Sequence, residues 1–301
     1  MKVDSIDSVI YTQTDDQRRK HFIEDFIALI REANEILQKQ SDLSPTNQLV
    51  ADTVRRLSDQ LRARYSQEEI QTILSNNYIR MNQRSLQHKL SEAECLAELE
   101  ASRRICQIQL SVIDEVKKLP SWNIYMELVG KELSILHQLD IQDGRAVKTP
   151  IVFVGSGSLP LSAIILHLQG NAEVICLEID DAAYEASCAL VKSMGLSTHI
   201  TILKENGADY IYSSCSLIFV ASLVRNKGEV LEQIKRTASD PLVAIRTAEG
   251  IKQIMYESID ESQLIKQGWR VAARTLPNEQ LVINSTLFLK RVAFSRSKWL
   301  D

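Results

Sequence analysis

The residues best placed for chemistry stand where short apolar runs end. Gly155-Ser156-Gly157 follows the apolar run 151–154, and Glu178 ends the next such run about twenty residues further on. Glycines allow a tight turn that brings backbone close to a ligand. A carboxylate at the next strand end is placed to accept hydrogen bonds from both ribose hydroxyls of a nucleoside. The spacing predicts a strand, a ligand-binding loop and a helix that begins near Pro160.

The residues that follow two further apolar runs fit the same pattern. Asn206-Gly207-Ala208 follows the run 200–203, and Ala221 follows the run 217–220. Small residues at these positions leave room for a flat ring beside the strand ends. We therefore predict that a nucleoside-containing ligand is bound by Gly155, Ser156, Gly157, Glu178, Asn206, Gly207, Ala208 and Ala221.

The residues alone leave the identity of that nucleoside open. The pattern Gly-x-x-x-x-Gly-Lys-Ser/Thr is absent, which disfavours ATP bound through a phosphate-binding loop. The loop has two glycines where a dinucleotide fingerprint has three, which counts against a pyrophosphate. S-adenosylmethionine has a ribose and an adenine but no phosphate, and it suits this loop better.

The elements that must position these residues follow an α/β pattern. Helical periodicity without glycine precedes Gly130, and short β-rich runs alternate with helices after residue 144. This alternation predicts a doubly wound parallel sheet, with an antiparallel pair formed by the last two strands. We predict an all-helical N-terminal domain over residues 1–145, a Rossmann-like domain over 146–301, and an active site between them. The candidate strands are Ile151–Val154, Glu173–Glu178, Ile200–Leu203, Leu217–Val220, Leu242–Arg246, Trp269–Thr275 and Val282–Lys290.

Composition excludes several classes of function. A net charge of -4 over 301 residues provides no basic excess to neutralise a nucleic acid. The five cysteines are odd in number and form no Cys-x-x-Cys pair, and the five histidines lack ligand spacing, so no metal site is predicted. Because neither a signal-peptide run nor about 18 consecutive apolar residues occur, a cytoplasmic protein without a membrane partner is expected.

Several segments resemble those of one known family. The segment 153–162, Phe-Val-Gly-Ser-Gly-Ser-Leu-Pro-Leu-Ser, is similar to the Gly-Ser-Gly-Pro-Leu-Pro-Leu signature of the nicotianamine synthase family. Glu92-Ala-Glu-Cys-Leu-Ala-Glu98 resembles the family's Glu-Ala-Glu-Gly-Leu-Leu-Glu stretch. The resemblance extends in order from about Ser91 to Lys290, and its other segments are 122–132, 217–224, 246–250 and 276–285.

The resemblance implies a fold and an activity. The family is similar in its sheet to class I S-adenosylmethionine methyltransferases. It transfers the 3-amino-3-carboxypropyl (aminobutanoyl) group of S-adenosylmethionine, used as co-substrate, to an amine and releases methylthioadenosine. Shorter bacterial members add one unit to an amino acid, typically histidine, in the synthesis of an opine metallophore. An NAD(P)H-dependent opine dehydrogenase is the functional partner this implies, and a homodimer is a candidate assembly.

The resemblance also assigns catalytic positions. Glu98 and Tyr125 match the family's catalytic glutamate and tyrosine, which implies that Glu98 takes a proton from the acceptor amine or orients it, and that Tyr125 fixes the amine. The chain departs from the family at Cys95, Ala97 and Ile124, so the acceptor pocket is less well defined. Without the resemblance, the glutamates of this segment would be interpreted as a solvated helix face.

Two further residues are candidates for substrate binding. Glu94 lies four residues before Glu98 and shares its helix face. Ser91-x-x-Glu94 has the form of a capping box, but it could equally lie inside a helix from about Ser85 to Lys118. Arg246 ends a central strand and could hold a substrate carboxylate in its guanidinium fork, or could form a structural ion pair. Tyr125 and Glu132 could likewise be a hydrogen-bonded pair in the core.

Three other functions stay open from the sequence. A nicotianamine synthase would consume further donor molecules through repeated transfers. An S-adenosylmethionine-dependent methyltransferase would release S-adenosylhomocysteine. A non-catalytic binding module would keep the sheet without turnover.

Overall fold

A seven-stranded sheet forms the centre of the second half of the chain. The computed structural model describes residues 4–108, 111–143, 150–277 and 284–292, with side chains described from residue 17 in the first helix and up to residue 139 in the sixth. The strand order is β3-β2-β1-β4-β5-β7-β6; β7 pairs antiparallel with both β5 and β6, and the other neighbouring strands pair parallel. The strands are β1 (Ile151–Val154), β2 (Val174–Glu178), β3 (Ile200–Lys204), β4 (Leu217–Val220), β5 (Leu242–Thr247), β6 (Trp269–Arg274) and β7 (Ser285–Arg291).

Burial on both faces explains the apolar strands. In β1, Ile151 and Phe153 belong to one hydrophobic core, whereas Val152 and Val154 belong to the core on the opposite face. Alternate side chains of a strand point to opposite faces, so a strand covered on both sides must be apolar throughout. Each such side chain contributes about 2 kcal/mol through burial.

Helices cover the two faces of the sheet. The helices α6 (Pro120–Asp143) and α7 (Leu161–Gly170) contribute to the core of one face, and α9 (Lys227–Thr237) contributes to the other. Pro160 immediately precedes α7 and Pro120 opens α6, since proline lacks the amide proton that has no partner at a helix start. The remaining helices of this region are α5 (Val112–Lys117), α8 (Asp181–Ser193) and α10 (Glu261–Lys266).

The predicted α/β class is confirmed. The parallel strands β1 to β5 and the final antiparallel pair follow the prediction, and the described strands end within a residue or two of the predicted bounds. The start predicted for the last strand, Val282, lies outside the described residues. Strand order reverses between β1 and β4, and ligands of doubly wound sheets bind at such a switch point.

The N-terminal region is helical, as predicted. It contains α1 (Asp4–Lys39), α2 (Gln48–Gln60), α3 (Gln67–Leu74) and the first part of α4 (Asn77–Cys106). Ser66 and Glu69 form a capping box at α3, with Glu69 N bonded to Ser66 Oγ at 3.2 Å. Ser91 lies inside α4 and bonds back to the Gln87 carbonyl oxygen at 2.8 Å, so the interpretation that places it within a helix is confirmed and the capping-box alternative is not.

The chain is divided into two compact units. The first contains residues 1–93 together with Gly250–Met255, and the second contains residues 94–249 and 256–301. The inserted segment includes a 3-10 helix, Gly250–Ile254, whose Gln253 carbonyl oxygen accepts hydrogen bonds from Gln83 and Gln87, both at 2.7 Å. The predicted boundary at residues 145 and 146 lies outside the described residues, and that domain assignment stays a prediction.

Candidate active site

The turn after β1 requires its two glycines. Gly155 and Gly157 have φ values of +78° and +69°, in the left-handed region that side chains disfavour. A Cβ added to Gly155 would lie 2.5 Å from Cγ2 of Val224, so the neighbouring loop leaves no space for one. The amide nitrogens of Gly155 and Ser156 donate to the Leu177 carbonyl oxygen at 2.9 and 3.4 Å. These bonds hold the turn against the end of β2.

Glu178 lies at the tip of β2, beside this turn. Its Oε2 accepts a hydrogen bond from the Gly157 amide at 2.8 Å, and its Oε1 accepts from the amides of Ile179 and Asp180 at 2.9 and 3.0 Å. Since a carboxylate has roughly four acceptor sites, the three amides leave about one for a ligand. The side chain therefore lies at the strand end, as the nucleoside prediction requires. To accept hydrogen bonds from both ribose hydroxyls as well, the carboxylate would have to lose one of its three amide hydrogen bonds or share an acceptor site.

The candidates after β3 and β4 lie at the same edge of the sheet. Asn206 forms a local turn, accepting from the Ala208 amide at 3.0 Å and donating to Asp209 at 3.0 Å. A Cβ on Gly207 would lie 2.4 Å from Cγ1 of Val154, so packing against β1 explains this glycine. The Ala221 amide donates to the Val154 carbonyl oxygen at 3.0 Å. The predicted binding residues thus follow consecutive strand ends, and their ligand contacts stay a prediction.

Two carboxylates of α4 lie within the second unit, one helical turn apart. A Cβ added to Gly157 would lie 2.9 Å from Glu98 Oε2, so the glycine lets backbone approach this carboxylate closely. Burial, and then the charges of Glu94 and Glu178, raise the pKa of Glu98 well above the ordinary value for a carboxyl group. Burial also raises the pKa of Glu94 to about 6, and a hydrogen bond from Tyr256 opposes this rise. These are not the fully solvated glutamates of a surface helix face.

Tyr125 is brought to the same carboxylates. Burial, followed by the charges of Glu98 and Glu94, raises the pKa of its phenol above the ordinary value, so the hydroxyl keeps its proton at neutral pH. The hydroxyl makes no hydrogen bond to any part of the chain that the structure describes. It is therefore available to a substrate, and the predicted pair of Glu98 and Tyr125 shares one electrostatic environment.

Arg246 forms a buried ion pair. Its Nε and Nη2 donate to the two carboxylate oxygens of Glu132 at 2.9 Å each, and its Nη1 donates to Ser162 Oγ at 2.9 Å. Thr286 adds a hydrogen bond to Glu132 at 2.6 Å. The guanidinium fork predicted for a substrate carboxylate is thus occupied by Glu132, in agreement with the alternative of a structural ion pair. Glu132 pairs with Arg246 rather than with Tyr125.

Sequence reasoning missed two residues near these groups. Tyr256 donates a hydrogen bond from its hydroxyl to Glu94 Oε2 at 2.9 Å, across 162 positions of sequence. Lys227 is buried, and its Nζ donates to the carbonyl oxygens of Ser222 and Val224 at 2.6 and 2.9 Å, which holds the loop after β4. Burial lowers the pKa of Lys227 to about 8. Neither residue stands in a spacing that predicts its role.

In the described ranges, no three His, Cys, Asp or Glu side chains come together as a potential metal site. None of the helices described is both long enough and apolar enough to cross a membrane.

The sheet order and the glycine turn with Glu178 define a Rossmann-like α/β protein, and ligands of this fold class bind at the carboxyl ends of the strands. A family model described as "Nicotianamine synthase protein" matches residues 18–295. The chain therefore belongs to the nicotianamine synthase family, and the predicted family is confirmed.

Named relatives fall in two groups. An L-histidine 2-aminobutanoyltransferase of Pseudomonas aeruginosa is 30% identical over 188 residues, which cover 62% of this chain and 67% of that protein. Nicotianamine synthase 2 of Arabidopsis thaliana is 26% identical over 219 residues, covering 68% of this chain and 65% of the plant protein. The chain thus matches slightly less than two thirds of the plant enzyme.

Solved structures support the fold. A glutamate-to-glutamine mutant of a protein named MtNAS, in complex with S-adenosylmethionine, has a TM-score of 0.71 at 17% identity, and the match covers 89% of this chain and 98% of that one. MtNAS in complex with MTA and tNA has a TM-score of 0.70 at 18% identity, covering 87% and 96%. At this level of identity the likeness concerns the fold, and it agrees with the predicted class.

Proposed function

We propose that this chain is an enzyme that transfers the 3-amino-3-carboxypropyl group of S-adenosylmethionine to the α-amine of an amino acid, with histidine as the acceptor. Membership of the nicotianamine synthase family and the similarity to histidine 2-aminobutanoyltransferases support the reaction class and the acceptor. The observation that carries the proposal is the approach of the Glu98 carboxylate to Gly157, whose amide is bound by Glu178. A base therefore stands directly beside the turn expected to hold the donor.

The position of the nucleophile decides which of the three carbons bonded to the sulfonium is transferred. A sulfonium has three electrophilic carbons and is already activated, so an enzyme chooses among them by placing the nucleophile in line with one carbon–sulfur bond. With the ribose near Glu178, the aminocarboxypropyl group would extend toward Glu98 and Tyr125. The turn at Gly155 and the loop after β4 would enclose the nucleoside.

The acceptor amine must lose a proton to attack. Glu98 has no ion pair with a described lysine or arginine, and its raised pKa makes it a better base at neutral pH than an ordinary carboxylate. The amine nitrogen bonds to the γ-carbon of the transferred group while the carbon–sulfur bond breaks. That electron pair stays on sulfur, which leaves as neutral methylthioadenosine, and the proton passes to Glu98. The Tyr125 hydroxyl would donate a hydrogen bond that fixes the reacting groups.

The test is a product assay. The purified full chain is incubated with S-adenosylmethionine and either L- or D-histidine, and products are identified by mass. One added aminobutanoyl unit with an equal amount of methylthioadenosine is the expected result. Release of S-adenosylhomocysteine would identify a methyltransferase, and S-adenosylmethionine binding without release of either nucleoside would identify a binding module.

One alternative has support from the relatives. Nicotianamine synthases of plants also match this chain, so repeated transfer is a second candidate. The masses distinguish the two, because repeated transfer adds further aminobutanoyl units. An opine metallophore as final product, an NAD(P)H-dependent opine dehydrogenase as partner, a homodimer and a cytoplasmic location stay predictions.

A further inference from the structure

One carboxylate oxygen of Glu94 accepts a hydrogen bond, and the other is available to a ligand. The Tyr256 hydroxyl donates to Glu94 Oε2 at 2.9 Å. The other oxygen, Oε1, has no hydrogen-bond or ion-pair partner among the described residues, and it is not sealed from solvent. A carboxylate oriented by a phenol on one oxygen presents the other in a defined direction. Glu94 with Tyr256 is called the carboxylate–phenol pair below.

Glu98 lies between Glu178 and the carboxylate–phenol pair. Glu94 and Glu98 are four residues apart in α4, which places them on one face about 6 Å apart along the axis. Glu98 Oε2 lies beside Gly157, whose amide donates to Glu178, whereas Glu94 lies one helical turn away and accepts a hydrogen bond from Tyr256. The order along the site is Glu178, Glu98, Glu94.

In this order, Glu98 would contact the α-amine of the acceptor and Glu94 would contact its side chain. If the α-amine meets Glu98, the remainder of the acceptor extends away from the sulfonium, about one helical turn toward Glu94. The distal ring nitrogen of histidine lies at a comparable distance from its α-amine. The open Oε1 of Glu94 can then accept an N–H from the side chain.

We propose that the carboxylate–phenol pair recognises the side chain of the acceptor and selects one that carries an N–H donor in a planar ring, an imidazole. The inference rests on the proposed function and extends it to specificity. An acceptor without that donor would leave a partly desolvated carboxylate oxygen unpaired, which is costly. Because a carboxyl with a pKa of about 6 is close to the ordinary pKa of imidazole, about 6.5, the two can share one proton across neutral pH.

The test is a binding measurement on the full chain saturated with methylthioadenosine. L-histidine and L-phenylalanine are titrated by calorimetry into the unchanged protein and into the variants Y256F and E94Q. The unchanged protein should bind histidine at least tenfold more tightly than phenylalanine, which has a planar ring without an N–H. Both variants should weaken histidine binding about tenfold while phenylalanine and methylthioadenosine affinities stay within about twofold.

A matched phenol deletion supplies the control. Tyr78 accepts a hydrogen bond from Asn34 at 3.0 Å in the first unit, and Y78F should leave the histidine-to-phenylalanine ratio unchanged. Equal affinities for the two amino acids, no histidine binding, or an unchanged ratio in both Y256F and E94Q would overturn the inference. If the ratio responds as expected but no methylthioadenosine is formed from S-adenosylmethionine, the proposed function fails and the role of the carboxylate–phenol pair in binding is supported. If turnover occurs but the ratio does not respond, the proposed function is supported and the role of the carboxylate–phenol pair is overturned.

Discussion

Two sets of carboxylates in the second unit differ in their partners. Glu132 on α6 is fully buried and gives both oxygens to Arg246, with Thr286 as a further donor. Glu94 and Glu98 on α4 are partly buried, and among the described residues neither has a cation. The first arrangement is complete without a ligand. The second leaves negative charge that a cationic or hydrogen-bond-donating substrate would satisfy.

The contrast separates structural from functional acid groups. A neutralised carboxylate of the first kind stabilises the fold, and removing its charge leaves an arginine buried without a partner. A carboxylate of the second kind costs stability when it ionises, because burial and like charges oppose the negative form. Substitution of glutamate by glutamine should therefore have opposite effects on stability at the two places.

The largest expected effect is on stability, at Glu132. E132Q should destabilise the second unit by about 3 to 5 kcal/mol, because it leaves the Arg246 guanidinium buried without its carboxylate. The measurement is urea unfolding followed by tryptophan fluorescence, since all three tryptophans follow residue 93 in the sequence. The control is E115Q, which breaks the exposed pair with Lys118 and should change stability far less, because solvent screens such a pair. Equal costs would contradict the structural role of the buried pair.

The next effect is on turnover, at Glu98. E98Q should lower kcat about a hundredfold through loss of the base, while S-adenosylmethionine affinity changes less than about threefold. Because the folded-state pKa of Glu98 is raised, its ionisation costs stability as the pH rises through that pKa, so E98Q should be at least as stable as the unchanged protein at pH 8. E100Q, on an exposed residue of the same helix, is the control. Undiminished turnover in E98Q would remove this residue from the mechanism.

A smaller effect is expected at Gly157. G157A combines a strained positive φ with a Cβ 2.9 Å from Glu98 Oε2, and it should lower kcat/KM about tenfold or more. Gly195 is a matched control, because its φ is +70° and nothing lies within 4 Å of the added Cβ. G195A should cost stability through backbone strain without a matching loss of activity. Similar losses in the two variants would mean that strain, not the approach to Glu98, sets the effect.

The smallest effect is a displacement of the pH profile. Because the pKa of Glu98 is raised well above that of an ordinary carboxyl group, the acid limb of kcat/KM should lie at correspondingly higher pH, with activity lost as the pH falls and the base becomes protonated. Removing the charge of Glu94 lowers the pKa of Glu98, so E94Q should move this limb to lower pH. The shift is read from rates between pH 5 and 9, and protonation of the acceptor amine cancels in the comparison. A limb that stays in place would show that the two carboxylates are not coupled.

The sequence predicted the sheet well because its strands are buried on both faces. Strands β1 and β4 have the bounds that continuous apolar runs indicate, and the glycine turn and Glu178 lie where the strand ends predict. The ambiguity at Arg246 arose because strand periodicity does not identify the partner across the face, which is Glu132, 114 residues earlier. Tyr256 was missed for the same reason. Its contact with Glu94 exists only after the chain has folded.

The segment Gly250–Met255 determines how the second unit can be expressed as a fragment, because this segment belongs to the first unit. Although it lies between β5 and α10, its Gln253 carbonyl oxygen is bonded by Gln83 and Gln87, and the buried Lys252 donates to the Leu61 carbonyl oxygen. A fragment starting at residue 94 would carry this insertion with its apolar residues, Ile251 and Ile254, stripped of the surface that buries them. Expression of the sheet alone therefore requires a short replacement linker between Glu249 and Tyr256 as well as a new start.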